Sequence, residues 1–152
     1  MILIDRTDIE LLKPWKYPSQ TFFNRKLYLM LNFEVSQHCI ATCLKCAAIC
    51  NHCATSCLAD EDVAKLTRVI QLNRECSYIC NVTAQVLSLR GESIQALCEL
   101  CESICKACSE EASKHDKEFC RLSDDICRRT IIECRNVTLK FANRTERLKT
   151  AI

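Results

Sequence analysis

CIATCLKCAAICNHCATSC, from Cys39 to Cys57, carries six cysteines in nineteen residues: Cys39, Cys43, Cys46, Cys50, Cys53 and Cys57. Their separations alternate four, three, four, three, four. At about 100° per residue these positions fall within roughly 80° of arc on an α-helix, so the spacing predicts a helix with a stripe of thiols roughly 27 Å long. Two bland readings compete. Free cysteine buries as a small hydrophobe, but none of the six positions holds Leu, Ile, Val or Phe, and cysteine alone packs a core poorly. A disulfide framework is the second, since fifteen cysteines in 152 residues reach the density of stapled secreted chains. However, i and i+4 Cβ atoms on a helix lie about 5–6 Å apart, whereas a disulfide needs roughly 3.5–4.5 Å. The stripe cannot zip itself shut without breaking the helix.

Outward from the stripe, the chain reads as long helices and short connections. One glycine and two prolines leave few breakers. The thiol helix is expected to end near Leu58, with Asp60, Glu61 and Asp62 capping a second helix that runs to about Arg90 and stops at Gly91. That helix turns Val69, Leu72, Cys76, Cys80 and Leu87 inward. A third, from about Glu92 to Lys114, presents Cys98, Cys101, Cys105 and Cys108. A fourth, from about Asp116 towards Arg147, places Cys120, Cys127 and Cys134 at heptad intervals, with Phe141 continuing the line. The expected fold is all-α: an antiparallel up-down four-helix bundle over residues 33–152 with a cysteine-lined core. Counting outward from the turns places Cys76 and Cys80 across from Cys39 to Cys46, with Cys101 and Cys105 beside them. The turns at Asp60 and His115 then share one end with His52, Cys53 and Cys57, and His38 lies towards the other.

Residues 1–32 differ in kind. They hold no cysteine, both prolines (Pro14, Pro18), and Trp15, Tyr17, Phe22, Phe23 and Tyr28. They are read as an aromatic-rich extension, with a short helix from about Thr21, that caps the bundle or an adjacent subunit. The start, MILIDRTDIELLKPWKY, lacks the pattern of a signal peptide, and LYLMLNF is far short of the ~20 residues that span a bilayer. The protein is therefore expected to be cytoplasmic, with reduced thiols; the sequons at Asn81, Asn136 and Asn143 are then chance matches. A net charge of +2, from 21 basic and 19 acidic residues in mixed order, makes no case for nucleic acid or membrane as partner.

Soft thiolates select Cu(I), zinc or iron–sulfur clusters. Iron–sulfur spacings are absent, and one helical face cannot wrap the closed tetrahedron of a structural zinc site. Cu(I) needs two or three thiolates, which i, i+4 pairs offer at Cys39/Cys43, Cys46/Cys50, Cys53/Cys57, Cys76/Cys80 and Cys101/Cys105. Each thiolate and Cu(I) sum to zero charge, so many ions fit a buried core. With one or two thiolates per ion, capacity is roughly 7 to 15 ions. No Cys-His-Asp constellation, Gly-rich phosphate loop or HExxH motif points to an enzyme. Met1 and Met30 make no thioether array, and Tyr78 and Thr83 are packing residues.

The motifs HCIATCLKC, CNHCATSCLADED, CSYIC followed by LRGES, and LCELCESICKAC with EASKHD resemble the cytosolic branch of the cysteine-rich four-helix-bundle copper storage proteins, over about residues 37–135. The resemblance implies homotetramers that fill with Cu(I) through a histidine-bearing end, giving His52 and His115 a part in uptake alongside a copper donor or acceptor protein that the sequence does not name. Departures from the family pattern are Ala112 after Cys108, and Ser123 and Thr130 where partners of Cys127 and Cys134 would stand. Early filling is therefore expected at Cys39–Cys57, Cys76, Cys80, Cys101 and Cys105, with Cys127 and Cys134 contributing less. The alternative functions are a copper-responsive sensor or handoff protein holding few ions, and a zinc-binding bundle.

Overall fold

The structure is a computed structural model that describes residues 19–89 and 91–149, with side chains over 36–89 and 91–143. The chain divides into two compact units, Met1–Leu31 and Asn32–Ile152. The expected capping role of Trp15, Tyr17, Phe22, Phe23 and Tyr28 lies outside the described residues and side chains. Helix α1 spans Ser19–Leu58, α2 Thr67–Leu89, α3 Ile94–Ala112 and α4 Glu118–Lys149, with a 3-10 turn at Val63–Leu66 leading into α2. Among the described residues there is no strand, and no helix is long and apolar enough to cross a membrane.

The helices over the second unit run up and down, as thiol contacts across the core show. Cys39 Sγ lies 3.9 Å from Cys134 and Cys46 Sγ 3.9 Å from Cys127, so residue numbers rise along α1 as they fall along α4. The same inversion relates α2 and α3, where Cys76 meets Cys105 at 3.6 Å and Cys80 meets Cys101 at 3.7 Å. All fifteen cysteines are free, and each is 0% exposed, so every thiol faces inward as the spacing predicts.

Hydrocarbon surrounds the thiols rather than replacing them. Leu72, Leu87, Ile94, Ile126 and Val137 are buried in the main cluster, and Ile40, Ile49, Ile79, Val86, Ile104, Ile131 and Phe141 pack against it. Burying such side chains contributes about 1.5–3 kcal/mol each, so they drive assembly while the thiols line the axis. Ala47 and Ala54 are also buried on α1, beside the stripe.

Two turn details correct the expected caps. Asp62 stands before the 3-10 turn without a side-chain capping bond. Asp60 instead accepts the Asp62 backbone N–H at 2.9 Å and receives Lys117 Nζ at 2.9 Å on both carboxylate oxygens. Its charge is better satisfied by a cation from the α3–α4 turn than by a helix start, and α2 proper begins only at Thr67. This ion pair ties the α1–α2 and α3–α4 turns together at one end. At Gly91 the backbone N–H closes on Val86 O at 3.1 Å, but φ is not left-handed. Glycine serves there because a Cβ would sit 2.9 Å from Val86 Cγ1.

Candidate metal centre

Each of the four helices contributes sulfur from its inward face, α1 at every inward turn from Cys39 to Cys57 and the others at only some of theirs. Along single helices the i, i+4 sulfurs are 4.0 Å apart for Cys39/Cys43, 3.8 Å for Cys46/Cys50 and 3.9 Å for Cys76/Cys80. Between helices they are as close or closer, down to 3.6 Å for Cys76/Cys105. The CxxxC pair is therefore not the unit of the site; the sulfurs form a network whose meshes cross helices.

Several meshes have the size of a metal site, with all sulfurs within 4.8 Å of one another. Two are quartets that draw one thiol from each helix: Cys46, Cys76, Cys105, Cys127, and Cys50, Cys76, Cys108, Cys127. Three are triads: Cys39, Cys98, Cys134; Cys43, Cys101, Cys134; and Cys53, Cys57, Cys120. Cys76 and Cys127 each belong to both quartets, and Cys134 to two triads. The expectation that Cys127 and Cys134 contribute less thus meets the opposite geometry.

The thiols also share protons. Cys39 is pulled down foremost by its interaction with Cys134, then with Cys43 and Cys98, and Cys46 by Cys105 and Cys127. Cys43 and Cys105 are pushed up, each foremost by its bond to Cys101. An S–H held by a neighbouring sulfur is a proton that an incoming cation displaces. In the triad at the Asp60 end, burial is the leading cause: it raises Cys53 and Cys57 and lifts Cys120 to about 11, with Lys117 opposing at Cys57 and Cys120. Asp60 is held below its ordinary range by the Asp62 N–H and then by Lys117.

Three residues without sulfur sit at levels of the core where the thiol pattern lapses. Ala112, Ser123 and Thr130 are buried at 1%, 0% and 0% exposure. Thr130 Oγ1 turns back to Ile126 O at 2.9 Å, whereas Ser123 Oγ faces sulfur, 3.9 Å from Cys50 and 3.7 Å from Cys108. Its partner is Asn73 Oδ1, at 2.6 Å. Asn73 was not singled out by the sequence, although it lies one turn before Cys76 on the inward line of α2.

The histidines stand apart from the sulfur network to different degrees. His52 is exposed beside Cys53, and His115 is 22% exposed with Nε2 3.7 Å from Glu111 Oε1 at the α3–α4 turn. His38 is exposed and lines an open groove of about 530 Å³ with Glu133, Asn136, Leu139 and Lys140.

A helical bundle whose four walls converge on buried, reduced sulfur defines a container for soft metal ions rather than a single cofactor site. The chain belongs to the copper storage protein family, whose family model matches residues 32–139. It is similar to the solved structure of a cytosolic copper storage protein from Streptomyces lividans with five coppers, at 32% identity and a TM-score of 0.70, covering 72% of this chain and 96% of that one. A structure of the Streptomyces lividans copper storage protein loaded with 10 copper equivalents is 33% identical, with a TM-score of 0.68 and coverage of 70% and 85%. An uncharacterized cysteine-rich protein from Bacillus subtilis is 34% identical over 68 residues, which span 45% of this chain and 63% of that relative.

Proposed function

We propose that this chain stores and buffers multiple Cu(I) ions in the cytosol, held by thiolates along the bundle core. The observation that carries the reading is the fusion of quartets and triads through shared Cys76, Cys127 and Cys134. Ions that share sulfurs form clusters, and monovalent Cu(I) with bridging thiolates keeps a buried cluster near neutral where divalent ions would not. The site is a reservoir with no reacting centre, so the chain is not an enzyme. Residues 33–152 act as the copper-holding domain and residues 1–32 as an extension.

All fifteen cysteines serve as ligands, and His52 and His115 pass copper inward. His115 beside Glu111, together with the Asp60–Lys117 ion pair, places charged and nitrogen-bearing groups at the end where Cys53, Cys57 and Cys120 come nearest the connecting turns. Reduced protein titrated anaerobically with Cu(I) against a chromophoric chelator is expected to saturate well above about five ions per chain. The double variant His52→Ala, His115→Ala should reach the same capacity more slowly. Saturation at one or two ions would identify a sensor or handoff protein instead.

One observation favours a second reading. Four zinc–sulfur bonds of about 2.3 Å in a tetrahedron separate the sulfurs by roughly 3.8 Å. In the Cys46, Cys76, Cys105, Cys127 quartet four of the six Sγ–Sγ separations are 3.8, 3.9, 3.6 and 3.9 Å, and all six lie within 4.8 Å. The assembled bundle therefore offers what one helical face could not. Zinc retained through purification and undisplaced by Cu(I) would decide for it.

The chain assembles as a homotetramer in this reading, supported by large apolar side chains left outside the bundle, among them Leu44 at 49%, Tyr78 at 59% and Ile132 at 56% exposure. Light scattering on the full chain is expected to return four times the chain mass; a monomeric mass would overturn the assembly without touching the copper site.

A further inference from the structure

The buried core is not one continuous thiol line. Twelve cysteines pack in one cluster, which includes Cys50, Cys76, Cys108 and Cys127. The remaining three, Cys53, Cys57 and Cys120, pack in a second cluster with Leu66, Val69 and Ala112. The break falls at one level of the bundle on three of the four helices. Going towards the Asp60–Lys117 end, α2 passes from Cys76 to Asn73 and Val69, α3 from Cys108 to Ala112, and α4 from Cys127 to Ser123 before sulfur returns at Cys120.

The residues at that level are locked to one another. Asn73 and Ser123 are both 0% exposed. Asn73 Nδ2 donates to Val69 O at 2.9 Å, which turns Oδ1 towards Ser123, and Ser123 Oγ donates to it at 2.6 Å. With its one proton committed there, Ser123 Oγ accepts from Cys50 and Cys108 at 3.9 and 3.7 Å, so the S–H groups on its inner side are satisfied by oxygen. A hydroxyl and an amide are hard ligands that a soft cation passes over in favour of thiolate. A Cu(I) ion moving between Cys50 or Cys108 and the Cys53, Cys57, Cys120 triad therefore crosses a level with no sulfur on α2, α3 or α4.

We propose that the Asn73–Ser123 pair partitions the thiol interior into an outer station of three cysteines, Cys53, Cys57 and Cys120, and an inner store of twelve, and that it limits copper exchange between them. The outer station holds about one ion, since three sulfurs within 4.8 Å match one trigonal site. The inner store holds the rest in sulfur-sharing clusters. This rests on the storage reading above and adds to it a kinetic division: the outer ion exchanges with its surroundings, while the inner ions must cross the level where Asn73 and Ser123 stand in place of sulfur.

The test is release of Cu(I) from fully loaded protein into excess chromophoric chelator under anaerobic conditions. Two phases are expected, the faster amounting to about one ion per chain, with rates at least about tenfold apart, or about 1.4 kcal/mol in barrier. Replacing Cys53, Cys57 and Cys120 together with alanine should remove the fast amplitude and leave the slow phase in place. Ser123→Cys, which supplies sulfur at the missing level, should merge the two phases; Ser123→Ala, which removes the hydroxyl without adding sulfur, should keep them separate. Helical circular dichroism confirms that each variant is folded. Single-phase release from the unaltered protein, or two unchanged phases in folded Ser123→Cys, would overturn the partition. A total of only one or two bound ions would instead overturn the storage reading on which it stands.

Discussion

Replacing Cys76 and Cys127 together with alanine is expected to lower Cu(I) capacity by at least about three ions per chain, more than the one or two that loss of two ligands explains. Each of the two residues belongs to both four-sulfur groups, so their loss breaks both quartets at once and leaves Cys46, Cys50, Cys105 and Cys108 without the two sulfurs that join them. Alanine leaves only a small void in place of sulfur, and the flanking Leu72 and Ile126 keep the bundle closed. The measurement is the same chelator competition, run beside a control in which Cys98 and Cys53, which each appear in one of the described triads, are replaced. If the control loses as much as the Cys76, Cys127 pair, the sulfurs act as independent ligands and the shared-mesh picture fails.

Copper loading should raise the melting temperature of the reduced protein by more than about 20 °C. A ligand at 100 times its dissociation constant stabilises the folded state by about 2.7 kcal/mol per site, and the contribution repeats for each independent site. Even five such sites sum to about 13 kcal/mol, comparable with the whole stability of an ordinary domain. A second contribution comes from the protons. Buried thiols held up by their neighbours, such as Cys43 and Cys105, give way to metal–sulfur bonds that cross-link four helices. Calorimetry of apo and loaded protein under anaerobic conditions checks this. A shift of only a few degrees would mean one weak site at the surface, not a filled core.

Much of this was legible in the sequence because helical periodicity is a local property. The four–three alternation from Cys39 to Cys57 gives a single face whatever it packs against. The heptad spacing of Cys120, Cys127 and Cys134 likewise points α4 inward. Helix ends were less legible. Asp60 looks like a cap from its position before a helical run, yet its carboxylate is taken by Lys117, 57 residues away. A local pattern carries no record of so distant a competitor. The stop expected at Gly91 agrees with α2 ending at Leu89, and a Cβ there would come within 2.9 Å of Val86 Cγ1, a contact that linear spacing does not show.

The sequence by itself determined that four helices form, that every cysteine faces the axis, and that soft metal is the matching cargo, since each of these follows from spacing and side-chain chemistry along one helix at a time. Only the tertiary structure decided which sulfurs meet. Cross-helix distances as short as 3.6 Å depend on how the helices are set against one another along the bundle axis, a quantity with no counterpart in linear spacing. That alignment makes Cys76 and Cys127 the crossing points of two quartets, and brings Asn73 and Ser123, fifty residues apart, to the level where the thiol line breaks.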